Sequence, residues 1–126
     1  MDYNQLIQPR EITVGDRIFT ISKIPALDAQ GIYSVLAKCI SDNGVIGMTM
    51  LPWETIRKIL SYVAFHNGDA KQMLNTDTMC NLAFKEDFGD LQQVVIAMIK
   101  ENFGFFVDGK LLNLLAEGLQ ETAYAS

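Results

Sequence analysis

The chain has 126 residues, 49% of them apolar and 20% charged, with 10 basic against 15 acidic side chains and a formal net charge of -5. That length and balance predict one domain with a real core and exclude a disordered, fibrous or collagen-like chain. Residues 1–63 hold six acidic and six basic groups and residues 64–126 hold nine and four, so the acidic excess of five lies in the second half; no basic stripe is present to neutralise phosphates, which argues against nucleic acid as a partner.

The opening MDYNQLIQPRE has no basic region followed by an apolar core, and no stretch approaches the roughly 18 to 20 apolar residues of a membrane span, so neither export nor membrane insertion is expected. Residues 11–24, EITVGDRIFTISKI, place two short β-branched runs on either side of Gly15-Asp16, a turn pair, and predict a β-hairpin. Ile12 and Val14 share one face of the first arm; in the second arm Ile18 and Thr20 lie opposite Phe19 and Ile21. An isolated hairpin is marginal, so one apolar side must be covered by the remainder of the chain or by a partner strand.

Pro25 stops the second arm, and from Ala26 the period changes to three or four residues: Leu27, Ile32 or Tyr33, Val35-Leu36 and Cys39-Ile40 predict a helix ending at Ser41-Asp42-Asn43-Gly44. The segment VIGMTMLP reads either as an irregular apolar loop or as a short extended piece. A second helix is predicted from about Pro52 to Phe65, with Trp53, Ile56, Ile59-Leu60 and Val63 as its apolar stripe and Glu54 paired with Lys58 on the other side. His66-Asn67-Gly68-Asp69 breaks it. Residues 69–87 predict two short helical segments, the second capped by Thr76 or Asp77.

From Phe88 the pattern is regular: Phe88, Leu91, Val94-Val95, Met98-Ile99 and Phe103 form one side of a helix of nearly four turns. Leu111-Leu112, Leu114-Leu115 and Leu119 predict a terminal helix opened near Asp108-Gly109. The expected fold class is therefore mainly α, with a small N-terminal β-hairpin (11–24) packed against a four- to five-helix domain (26–122), all in a single domain over 1–126.

Few residues suggest chemistry. Cys39 and Cys80, separated by 40 residues without a CxxC pair, read as reduced small hydrophobes, and with one histidine no standard zinc site can be assembled. Glu86, Asp87 and Asp90 read as a solvated, helix-capping group at the start of the 88–103 helix, their spacing failing to match a calcium loop. His66 reads as a helix-terminal side chain near free carbonyls or water, since Ser61 lies off its helical face. No catalytic, cofactor-binding or metal-ligating residue is nominated, and the expectation is a protein that is not an enzyme. The adaptable apolar side chains are a different matter: Met48 and Met50, in a segment without clear period, and Phe105 and Phe106 in the FGFF run serve either core or interface.

The stretch EITVGDRIFTISKIPALDAQ, a short hairpin followed by a Lys-Ile-Pro-Ala-Leu junction and an apolar helix, resembles the tail assembly chaperones of long-tailed bacteriophages and prophages. The resemblance is carried by residues 11–40, with the chain length and the acidic, helical second half. It implies a non-enzymatic protein of the host bacterial cytoplasm, without cofactor, that binds the tape-measure protein or other tail proteins during assembly and self-associates; some members are also made as a longer, frameshifted form. It nominates Ile18, Phe19, Pro25 and Leu27 at the hairpin-to-helix junction as shared interface positions. Two other roles remain open at this stage: a structural component of the tail or its ends, and a small acidic host-interaction or regulatory protein.

Overall fold

The computed structural model describes residues 9–104. Within them a four-stranded antiparallel sheet, in the order β1-β2-β3-β4, packs against four α-helices. The first hairpin lies where its sequence predicts it: β1 (Arg10–Val14) and β2 (Arg17–Ile21) pair with Ile12 opposite Phe19 and Val14 opposite Arg17. Gly15 takes φ 63° in the turn between them, a conformation that glycine adopts without a Cβ penalty. The register puts Ile12, Val14, Phe19 and Ile21 on one face, and that face is the one covered.

The sheet is nevertheless larger than the hairpin expected. β3 (Val63–Asn67) joins β2 through Phe19 opposite Phe65 and Ile21 opposite Val63, and β4 (Ala70–Met73) returns against β3 around Gly68, at φ 65°. The helix expected to reach Phe65 therefore stops at Leu60, and the first of the two helical segments expected in 69–87 is a strand. The reason is hydrogen bonding: the outer edge of β2 presents backbone donors and acceptors that a continued helix would leave unmet. Asn67-Gly68 between Val63-Phe65 and Gln72-Met73 also supplies a hairpin turn at the required place.

The helices follow the predicted order. α1 (Ala26–Asn43) begins at Pro25, whose carbonyl accepts from Ala29 N at 2.8 Å, and ends at Gly44, φ 74°. Its buried positions are Ile32 and Leu36. A short 3-10 helix (Gly44–Thr49) leads to α2 (Trp53–Leu60), of which only Ile59 and Leu60 are buried. α3 (Asp77–Phe84) is capped by Thr76, whose hydroxyl accepts from Met79 N at 3.1 Å, and α4 (Phe88–Phe103) buries Val94, Val95, Met98, Ile99 and Phe103 as its period predicts, whereas Phe88, expected on the same stripe, is 70% exposed because it opens the helix ahead of the turns that pack. The terminal helix expected around Leu111–Leu119 lies outside the described residues.

Phe19, fully buried at the centre of β2, stacks on Phe84 of α3 with ring centroids 5.3 Å apart and tilts against Phe65 of β3 at 5.6 Å. Polar ties fix the helices around this cluster. Asn102 of α4 accepts from Ile24 N (2.7 Å) and donates to Ser22 O and Met98 O, clamping the β2–α1 junction to the last turn of α4. Arg17 reaches Asp87 (2.7 Å) and Asp90 (3.1 Å), so the acidic group before α4 closes an ion-pair network with the first hairpin rather than a helix cap. The hydrogen bond to Asp87 also raises the Arg17 pKa.

On the opposite side Lys58 does not pair with Glu54 along α2 but lies 3.4 Å from Asp28 of α1, and the Tyr62 hydroxyl donates to the same carboxylate. The Tyr62 hydrogen bond, with Lys58, holds the Asp28 pKa below its ordinary value, and the same bond to Asp28, with burial, raises that of Tyr62. A carboxylate whose pKa falls on folding adds stability that is complete above its unfolded value of about 3.9 and fades as pH drops through the lower folded value. Asp28→Asn is thus expected to lower the urea midpoint at neutral pH, the gap to the parent closing below about pH 4. A gap unchanged into acid would assign the effect to shape rather than charge.

Candidate functional site

The residues nominated from the sequence separate into two groups. Phe19 and Met48 are core, at 0% and 1% exposure, and cannot offer a surface: the register of β2 turns Phe19 inward, and the 3-10 turn does the same to Met48. Ile18, Pro25, Leu27 and Met50 are exposed. Phe105 and Phe106 lie outside the described residues. Leu27 was expected on the apolar stripe of α1 but is 86% exposed. It precedes Ile32 by five residues, which on a helix is about 140° away from the buried face.

Among the described residues, three exposed large apolar side chains lie close together in sequence, two on the connector between α1 and α2 and one at the start of α2. Ile46 (47%), Met50 (54%) and Trp53 (63%) fall within eight residues of chain. Trp53 was expected on the buried stripe of α2; as the first residue of that helix it precedes the turn that packs. The connector itself is firmly built. Met48 and Leu51 are driven into the core between these exposed positions. Gly47 sits so close to α1 that a Cβ there would overlap the Cys39 carbonyl. Its requirement is for space, since it is not among the glycines at positive φ. Thr49 Oγ1 donates to Ile46 O (2.7 Å), Met50 N to Gly47 O (3.0 Å) and Asn43 Nδ2 to Cys39 O (3.1 Å). These bonds and the close approach of Gly47 fix the course of the connector, along which Ile46 and Met50 stand exposed.

A second feature lies at the hairpin-to-helix junction, where Ala26, Ala29, Gln30 and Tyr33 of α1 and Asn102 and Phe103 of α4 line a cleft of about 310 Å³. Tyr33 packs on Phe103 with ring centroids 6.3 Å apart. The cleft holds no pair of acid and base groups.

The candidates for chemistry are engaged structurally. His66 is not a helix-terminal residue: it lies on β3, with Nε2 2.7 Å from Thr20 Oγ1 on the neighbouring strand. Cys39 and Cys80 are unlinked and half-buried, and burial raises the Cys80 pKa. Among the described residues no three His, Cys, Asp or Glu side chains are placed to hold a metal ion, and no helix is long and apolar enough to cross a membrane. Ile46 and Trp53 were missed as surface residues; for Ile46 the irregular VIGMTMLP period was the available signal, and for Trp53 its place at the first position after Pro52. Comparison with protein-family profiles, curated proteins and solved structures finds no match.

Gly47→Ala is expected to lower stability by about 1 to 3 kcal/mol, the range for forcing extra volume into a packed site. Urea denaturation measures it, and an unchanged midpoint would mean that the connector yields easily and does not hold the apolar side chains in place.

Proposed function

We propose that this chain is a non-enzymatic tail assembly chaperone of the long-tailed bacteriophage and prophage type, acting in the host bacterial cytoplasm and holding apolar segments of the tape-measure protein while the tail forms. The observation that carries this reading is the exposure of three large apolar side chains within eight residues, Ile46 and Met50 on the connector and Trp53 at the start of α2. Large apolar side chains such as Met and Trp, left exposed close together in sequence, suit the apolar face of a helical client. The net charge of -5 helps to keep such a surface soluble. Further support is the resemblance of EITVGDRIFTISKIPALDAQ to the hairpin-to-helix passage of the family. Leu27 is exposed in that passage, and Ala26 and Ala29 of the same helix line the cleft.

Co-expression with fragments of a tape-measure protein, followed by size-exclusion chromatography with light scattering, tests the proposal. A soluble complex with particular fragments is expected, and Met50→Asp combined with Trp53→Ala is expected to weaken it about tenfold or more, as loss of central anchors does. Capture of no fragment, with the pure protein forming closed rings or stacks, would overturn the reading in favour of a structural tail component.

A further inference from the structure

Resting on the binding role proposed above, we infer that Arg57 and Asp77 are positioning residues that hold Trp53 outward as the aromatic anchor of this surface. The Arg57 guanidinium carbon lies 5.9 Å from the centre of the Trp53 ring, within the range of a cation–π contact, and Arg57 Nε is 2.9 Å from Asp77 Oδ1. Trp53 and Arg57 are one helical turn apart on α2, so their side chains meet on one face. Asp77 comes from a different element, the first turn of α3, whose start is fixed by the Thr76 cap. The guanidinium therefore has the indole on one side and an anchored carboxylate on the other, and its planar shape lets it serve both.

Two consequences follow for binding. An indole ordered before contact loses less side-chain freedom on association than one that must be captured from many rotamers, which favours affinity without adding contact area. The positive charge next to the ring is also already matched by Asp77, so the surface around Trp53 selects for the apolar face of a client helix rather than for a charged segment. The pair is exposed enough to respond to salt, with Arg57 and Asp77 side chains 38% and 72% accessible.

Trp53 is the single tryptophan, so its emission reports on this arrangement in the full chain without a label. Asp77→Asn is expected to raise the amplitude of the fast phase of Trp53 anisotropy decay by about half or more, as is Arg57→Met, which keeps stem packing but removes the cation. Raising salt from about 50 mM to about 1 M should have the same effect on the parent and little on Asp77→Asn. Capture of the tape-measure fragment should weaken about three- to tenfold in both variants. Equal indole mobility in the parent and both variants, with circular dichroism unchanged, would overturn the positioning role. Greater mobility in the variants with no fragment captured even by the parent would uphold it and instead sink the chaperone reading.

Discussion

Everything else in the described fold is arranged around the burial of Phe19. Its ring is the meeting point of two strands and a helix that are distant in sequence: its own strand β2, Phe65 from β3 and Phe84 from α3. Burying an aromatic side chain of this size is among the larger single contributions to stability, and the offset contacts between rings add to the area term. The inward turn of Phe19 decides which face of the first hairpin is apolar. It thereby sets the face of the sheet on which the core forms, while β3 takes the edge of β2 that β1 leaves free. Arg17 and Asn102 then fasten the two ends of β2 and its exit to α4 by charge and by hydrogen bonds.

The connector between α1 and α2 shows a different compromise. Met48 and Leu51 must enter the core, and Gly47 must pass against the Cys39 carbonyl. With those positions committed, Ile46 on the 3-10 helix, Met50 just after it and Trp53 at the start of α2 are left on the outside. Exposing them is unfavourable for an isolated chain, and the local hydrogen bonds keep it from being avoided by collapse. A surface built in this way is suited to contact with another apolar surface, and this is why the functional proposal rests here rather than on any titratable group.

Regions with a single strong period were readable directly. Leu91–Phe103 carries one regular apolar stripe, its expected first member Phe88 alone standing exposed, and Gly15-Asp16 between two β-branched runs has one economical solution, a hairpin. Residues 59–67 were not so constrained. Ile59, Leu60 and Val63 continue a helical stripe, whereas Val63 and Phe65 alternate as a strand; both patterns share the same side chains. His66 inherited the error, read as a helix end when it faces Thr20 across two strands. The exposed surface was partly legible. Met50 and Leu27 were nominated as interface positions, but Phe19 and Met48 were nominated with them, because composition and spacing do not state which of two adjacent apolar side chains turns inward.

By itself the amino-acid sequence determined the first hairpin, the places where α1, α3 and α4 begin or end, and the lack of a basic stripe, since these depend on turn chemistry, capping, periodicity and charge within a few residues. Only the tertiary structure decided that the sheet has four strands, that α2 ends at Leu60, that the acidic group at Asp87 and Asp90 serves Arg17, and that Trp53 faces solvent. Each of those outcomes is settled by a partner far away in the chain: a free strand edge, a guanidinium, or a core already filled by other side chains. Local sequence records the propensity of a segment, while the satisfaction of its hydrogen bonds and the space left for its side chains are properties of the whole fold.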